Sequence, residues 1–186
     1  MSRRVTIDFE NTIGFDALSK DLKTANFKTM LEDGNPVNLK IEISNEEHEL
    51  MPNVYNLAFG PIDVKGKIDD RAQLTHKDQS AVFSTILLAA LGYLNKNQGH
   101  SIGVDGSNNS RAYLYWRYLQ HNYEYLSQYF EFFGIKYYVR ISRFGKLQYD
   151  NPFDFADIIP ASIPIYKTDQ WPEPMFNYFI FGLKQR

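Results

Sequence analysis

Apolar and polar residues alternate along several short stretches of this chain, and such alternation is typical of β-strands that are buried on one face. In the clearest stretch Val37, Leu39, Ile41 and Ile43 are separated by single polar residues. A turn sequence, Asp-Gly-Asn-Pro at 33–36, precedes it. We predict six strands in all, at residues 5–9, 37–43, 54–59, 101–104, 135–141 and 176–181.

The spacing of apolar residues changes to a helical period between Gln79 and Leu94. Seven apolar side chains in this stretch fall on one broad stripe of a helix. Asp78 is a suitable N-cap, because its carboxylate can accept from a free N–H in the first turn. Gly99 is a suitable stop, since glycine tolerates the backbone conformation that ends many helices.

A second helix is predicted from about Ser110 to Phe132, followed by a break at Gly134. Its buried stripe is predicted to contain Ala112, Tyr115, Leu119, Tyr123, Leu126 and Phe130. A second stripe beside it contains Arg111, Leu114, Tyr118, His121 and Tyr125. A further short helix is predicted to begin behind Phe15 at Asp16 and to run through Leu22.

The resulting order, βαββ followed by αβαβ, favours an α+β (mixed α/β) fold. We expect a single sheet of about five or six strands, with the two main helices packed on one face. No linker divides the chain, so residues 1–186 are predicted to form a single domain. Residues 150–186 are predicted to form an irregular Pro-rich C-terminal extension, in which 171–174 (Trp-Pro-Glu-Pro) is an extended packing strap.

Composition restricts the class of protein. Hydrophobic residues make up 44% of the 186 residues, which is enough for a packed core. There is no cysteine, so disulfides, thiolate metal sites and cysteine nucleophiles are excluded. The N-terminal sequence is not followed by the apolar stretch of a secretory signal, and no apolar run is long enough for a membrane helix. We therefore expect a cytoplasmic protein that binds no membrane, metal or cofactor.

Charge is unevenly distributed, although the net charge is only −2. Residues 106–149 carry a net charge of +4, which leaves −6 on the rest of the chain. A basic segment of this kind can mark a surface that faces an anion, although a solvated helix face is the commoner cause.

The basic segment begins with a loop that leads from a strand into the second helix. Gly106 allows close approach of a ligand, and Ser107 or Ser110 can cap the helix or donate a hydroxyl hydrogen bond. Arg111 stands in the first turn, where the helix dipole and free N–H groups favour an anion. An ordinary turn with ordinary capping residues is the simpler interpretation of the same loop. The ligand-binding residues predicted around it are Gly106, Ser107, Ser110, Arg111, Arg117, Tyr118 and Arg140, with Lys136 and Arg143 extending the basic surface.

Three motifs give this chain a resemblance to a known family. They are Tyr-Asn-Leu-Ala-Phe-Gly at 55–60, Lys-Ile-Asp-Asp at 67–70 and Gly-Ser-Asn-Asn-Ser-Arg-Ala-Tyr-Leu-Tyr-Trp-Arg at 106–117. Together they resemble a group of small bacterial proteins, common in the Bacteroidetes, that is classed as a domain of unknown function.

In that family the third motif reads Gly-Ser-x-x-x-Arg-x-x-Leu-Tyr-x-Arg, usually with threonine after the serine. Gly106, Ser107, Arg111, Leu114, Tyr115 and Arg117 match it. Asn108 replaces its threonine, and residues 112–113 also depart from it. The resemblance covers residues 50–145 and implies that the loop is functional, but the family offers no activity to transfer.

Three functions are therefore left open. The first is a binding module that holds an anionic group, either a nucleotide or the backbone of RNA or DNA, at residues 106–117. The second is a protein-interaction component, such as one member of a toxin–antitoxin or phage-defence pair with a small protein partner. The third is a nuclease-like enzyme of ribonuclease H-like topology, in which Asp8, Asp63 and Asp105 would hold two metal ions. The sequence does not fix the oligomeric state.

Overall fold

The computed structural model describes residues 4–69, 72–106, 109–136, 160–172 and 175–185. These residues form a mixed α+β fold with one sheet and three helices. The sheet has eight strands rather than the five or six predicted. Its spatial order is β1-β2-β3-β4-β5-β8-β6-β7, and β4 and β5 are its parallel pair.

The elements have the following bounds in chain order. The first four strands are β1 (Ala17–Leu18), β2 (Thr24–Met30), β3 (Pro36–His48) and β4 (Met51–Pro61). The next elements are α1 (Gln79–Lys96), β5 (Ser101–Asp105), α2 (Asn109–His121) and α3 (Tyr123–Leu126). The last three strands are β6 (Phe130–Lys136), β7 (Ala161–Pro164) and β8 (Tyr178–Leu183).

The main core lies between the sheet and helices α1 and α2. Alternate residues of the strands, such as Ile41, Ile102 and Phe179, face buried side chains of α1 and α2 such as Leu94 and Trp116. A smaller cluster occupies the opposite face of the sheet, and it contains Met51, Val54, Ile135, Tyr178 and Ile180. The predicted placement of the two main helices over one face is consistent with this division.

Several predicted elements are confirmed. The Val37–Ile43 alternation lies in β3, and residues 54–59 and 101–104 lie in β4 and β5. Asp78 caps α1 as predicted, because its Oδ1 accepts from the N–H of Ala81 at 2.9 Å. The strand predicted at 176–181 is β8, which lies in the interior of the sheet between β5 and β6.

The predicted first strand is wrong. Within the part of the chain that the structure describes, residues 5–8 belong to no strand and residue 9 begins a turn, and the segment lies as a strap across the helical layer. Val5 and Ile7 are both buried, which accounts for the alternation. Burying each apolar side chain contributes about 1.5–3 kcal/mol. The alternation at residues 5–9 therefore arises because every second side chain is buried, and not because the segment is hydrogen-bonded in a sheet.

Side chains of the helices bind the backbone of this strap, which we call the N-terminal strap (residues 4–13). The Ile7 N–H donates to Asn122 Oδ1 at 2.7 Å, and Asn122 Nδ2 donates to the Val5 carbonyl at 3.0 Å. Four more strap N–H groups donate to hydroxyl oxygens of Ser80, Ser84, Tyr125 and Thr85. Its backbone groups thus find partners outside a sheet.

The predicted helix from Asp16 to Leu22 is also wrong, because this stretch forms β1 and the turn into β2. The Asp16 N–H donates to the Asn26 carbonyl at 2.8 Å, and Leu22 has a φ of +62° in the turn. The predicted N-cap therefore begins a hairpin instead. Pairing with β2, which the sequence interpretation missed, outweighs a weak local helix signal.

The second helix is shorter than predicted. α2 ends at His121, the single turn α3 follows, and Phe130 and Phe132 lie in β6. Both phenylalanines are buried on the helix-covered face, as a strand period of two requires. Phe130 fitted the predicted helical stripe because it follows Leu126 by four residues, but the pairing of β6 with β8 places it in a strand.

Among the residues that the structure describes, no helix combines the length and apolar character needed to cross a membrane.

Candidate functional site

The predicted loop is tightly packed at Gly106. The Gly106 N–H donates to the Asn177 carbonyl at 2.8 Å, so a ligand cannot use that group without displacing it. A Cβ at this position would lie 2.8 Å from the Cβ of Ala112 and 2.9 Å from its Cα. Glycine is therefore needed here so that α2 can pack against the end of β5.

The other predicted loop residues are placed as follows. Ser110 is exposed in the first turn of α2, and Arg111 is half-buried with an interaction of its own. Ser107, Arg140 and Arg143 lie outside the described residues. Arg117 is exposed, but six residues separate it from Arg111, which places the two about 120° apart around the helix axis. The two arginines therefore belong to different faces of α2.

Arg117 opens instead onto a surface groove of about 370 Å³, which we call the α2 groove. One wall is the outward face of α2, and the N-terminal strap and residues 168–171 complete it. The lining residues are Arg4, Val5, Tyr113, Trp116, Arg117, Tyr118, Gln120, His121, Thr168, Asp169 and Trp171. Two of the predicted site residues, Arg117 and Tyr118, lie in it.

Arg4 and His121 meet at one part of the groove. The Arg4 Nε–H donates to the His121 ring, with 2.8 Å to Nε2 and 3.1 Å to Nδ1. A protonated ring nitrogen cannot accept this bond, so the contact requires a neutral imidazole. Burial lowers the pKa of His121, and the positive charges of Arg4 and Lys167 lower it further. The lowered pKa favours the neutral imidazole near pH 7, which is the form that the hydrogen bond from Arg4 requires.

Gln120 fixes the C-terminal segment beside the groove. Its Nε2 donates to the Tyr166 carbonyl at 2.9 Å, and its Oε1 accepts from the Thr168 N–H at 2.9 Å. The Lys167 ammonium donates to the Gln120 carbonyl. Gln120 is buried, so these bonds form in a weakly hydrated environment and hold residues 166–168 against α2.

Aromatic side chains form another part of the groove. Trp171 meets Tyr113 edge to face, with ring centroids 5.3 Å apart. The Arg117 guanidinium lies over the Tyr113 ring at 5.8 Å, in a cation–π contact. Trp171 is 53% exposed, so much of the indole remains open to solvent. Of the strap predicted at 171–174, residues 173 and 174 lie outside the described residues, and Trp171 packs on Tyr113.

The charges in and around the groove do not cancel. Arg4, Arg117 and Lys167 are cationic, and Asp169 is the acidic residue of the lining. Among the residues that the structure describes, none of these three cations forms a salt bridge with a carboxylate. Among the described residues at the groove, cations therefore outnumber carboxylates, and they lie beside exposed aromatic surface.

Tyr118 connects the groove to the core. Its ring packs edge to face on Phe83 at 5.2 Å, and burial raises the pKa of its phenol. It also borders an apolar cavity of about 70 Å³ between the sheet and helices α1 and α2. Because it is half-buried and in a packed pair, Tyr118 contributes to the floor of the groove, not to its exposed wall.

The three aspartates considered for a nuclease occupy separate local settings. Asp63 accepts from the N–H groups of Lys65 and Lys67 in a tight turn, and Asp8 accepts from the Glu10 N–H in the N-terminal strap. Asp105 ends β5. In the parts of the chain that the structure describes, no three His, Asp or Glu side chains form a group able to hold a metal ion.

Sequence reasoning missed most of the groove. Tyr113, Arg117 and His121 are spaced by four residues, so their shared face was visible in the helical period. Arg4 is 117 residues away from His121, and residues 168–171 join the groove through a long excursion of the chain. No local pattern could have placed these segments beside α2.

Comparison with known protein families gives a match over most of the chain. The family of unknown function DUF6934 matches residues 19–153, which is well over half of the chain. No curated protein and no solved structure matches. The matched region contains α2, whereas Arg4 and residues 168–171 of the groove lie outside it. On this match, the chain belongs to the family of unknown function DUF6934.

Proposed function

We propose that this protein is a binding module that holds a phosphate-bearing ligand, a nucleotide or the backbone of a nucleic acid, in the α2 groove. The observation that carries the proposal is the cluster of Arg4, Arg117 and Lys167 without carboxylate partners among the described residues. Arginine donors suit phosphate oxygens, since a guanidinium can donate two parallel hydrogen bonds to them.

The proposal differs in position from the loop site predicted from the sequence. A site in the loop would use Gly106, Ser107, Ser110 and Arg111. A site in the α2 groove would use Arg117 and the strap residue Arg4. Ser110 lies three residues before Tyr113, on the groove side of α2, and extends the polar surface. The basic residues from Lys136 to Arg143 remain a predicted extension of either site.

The experiment is native mass spectrometry of the protein purified from its own host at low salt. We expect a mass excess that fits a nucleotide or an oligonucleotide. Arg117→Ala removes one cation from the groove and should remove the excess. Lys28→Ala, which removes an exposed cation from β2, is the matched control and should retain it.

Other outcomes assign the site elsewhere. Loss of the excess in Arg111→Ala but not in Arg117→Ala would return the site to the loop. A mass equal to that of the protein alone would contradict the binding proposal. A stoichiometric protein partner would favour the alternative, a toxin–antitoxin or phage-defence component.

A further inference from the structure

We propose that the ligand of the α2 groove is a single-stranded nucleic acid that spans more than one nucleotide and stacks a base on Trp171. This inference rests on the proposed function and names the ligand class for the same groove. It is argued from the arrangement of charge and aromatic surface along α2.

The groove follows α2 for two turns. Tyr113, Arg117 and His121 are each four residues apart, and at 1.5 Å per residue they span about 12 Å. Phosphates of a stacked strand recur about every 3.4 Å along its axis. The polar wall is therefore long enough for two or more phosphates.

The cations are distributed along this length. Arg117 lies beside Tyr113, whereas Arg4 and Lys167 lie beside the last turn of α2, at His121 and Gln120. Arg117 is four residues, about one helical turn, before His121, so the cations follow the length of the groove. A strand with successive phosphates can contact both groups of cations, and each contact releases condensed counterions.

The aromatic surface lies at the Tyr113 end. Trp171 meets Tyr113 in a T-shaped contact and leaves over half of its surface exposed. Exposed indoles next to a cationic groove are typical of surfaces that stack unpaired bases. Bases in a duplex are stacked on one another, so an indole gains this contact only from a single strand or a strand end.

Asp169 limits how the strand can lie. Its carboxylate lines the groove and repels phosphate, so the backbone must follow the arginine side. The same carboxylate can accept a hydrogen bond from a base amine or a sugar hydroxyl. Arg4 and Arg117 are cationic, whereas Asp169 is an anionic hydrogen-bond acceptor, so the lining is chemically asymmetric. Binding of inorganic phosphate alone would not require this asymmetry.

The test measures affinity against ligand length by fluorescence anisotropy. The probes are fluorescein-labelled oligothymidylates of two, four, eight and twelve nucleotides. Unlabelled phosphate, thymidine monophosphate and a twelve-base-pair duplex serve as competitors. We expect affinity to rise up to about four nucleotides and the duplex to compete poorly. In salt titrations the slope should be about −0.7 for each phosphate contacted.

Trp171 variants provide the matched comparison. Trp171→Ala should weaken oligonucleotide binding about tenfold and leave competition by inorganic phosphate unchanged. Trp171→Phe retains an aromatic face and should weaken binding less. Because Trp171 is exposed, neither substitution should prevent folding, which circular dichroism checks.

The outcomes separate this inference from the proposed function. Equal affinity for the mononucleotide and for all longer strands would overturn the inference and leave the proposed function in place. Equal competition by the duplex, or oligonucleotide binding unchanged in Trp171→Ala, would overturn it as well. Failure of phosphate, nucleotide and every strand to bind would contradict both.

Discussion

At its N-terminal end α2 packs against the end of β5, and at its C-terminal end it forms one wall of an open groove. The first end contains the motif that singled out the site in the sequence, but the Gly106 N–H is bonded and Ala112 covers the glycine. The second end has exposed Arg117 and a neutral His121 bonded to Arg4. A glycine at a strand–helix junction can thus serve packing, while the accessible chemistry lies two turns away.

The largest effect is expected from Asn122, which holds the N-terminal strap at the groove. Asn122→Ala leaves the Ile7 N–H and the Val5 carbonyl without their buried partner, which should lower the free energy of unfolding by about 3 kcal/mol. It should also weaken ligand binding, because the N-terminal strap positions Arg4. Urea unfolding and oligonucleotide anisotropy measure the two effects.

Asn38→Ala is the control for this substitution. Asn38 is exposed on β3, so its removal should change the free energy of unfolding by less than about 0.5 kcal/mol. If the two variants were equally stable, the bonds from Asn122 to the strap would not be important for stability.

The next effect probes the packed end of α2. Gly106→Ala places a Cβ against the backbone of Ala112, which can move only if α2 moves, and should cost about 2 kcal/mol of stability. Gly14→Ala is the control, because no atom lies within 4 Å of the added Cβ. Urea midpoints of the two variants give the difference.

A ligand cradle at Gly106 predicts another pattern. Gly106→Ala would then abolish ligand binding at temperatures where the variant is still fully folded. Loss of stability with binding retained supports the packing role of this glycine.

The smallest expected effect uses the histidine at the groove end, since residues 106–111 contain none. Burial lowers the pKa of His48, His76 and His121, and for His121 the charges of Arg4 and Lys167 add to this. The unfolded chain therefore takes up protons first as the pH falls below about 6.5. The free energy of unfolding should fall between pH 7.5 and 5.5.

His121→Gln should make this pH dependence shallower, because one of the three groups no longer titrates. Urea unfolding at pH 7.5, 6.5 and 5.5 measures the slope. The pKa values of Asp21 and Asp33 are lowered by hydrogen bonds, so their contribution is lost only below about pH 4 and does not interfere. An unchanged slope would contradict the neutral state assigned to His121.

Much of the fold could be predicted from local pattern. β3, β4, β5 and α1 have strong periods, and each predicted range lies inside the observed element, although β3 continues to residue 48 and β4 begins at residue 51. The errors lie where a local pattern fits two structures. Val5 and Ile7 alternate as in a strand, but they are buried by helices, and Phe130 continues a helical stripe although it begins a strand.

The candidate site was predicted only in part. Arg117 and Tyr118 line the groove, and their placement on α2 follows from the sequence. No local sequence pattern placed Arg4, Lys167 and Trp171 at the groove. Their position depends on how distant segments of the chain pack against α2. The family match gives no information on these three residues, because it covers residues 19–153 only.

The sequence by itself determined the period of each strong element, the lack of cysteine chemistry, the basic character of residues 106–149 and the family. These properties are local or additive, so they need no knowledge of neighbours. The tertiary structure alone decided that β8 lies in the interior of the sheet, that the N-terminal strap binds side chains of the helices, and that Arg4 reaches His121. Each of these depends on which distant surfaces bury one another, because long-range packing can override weak local preferences.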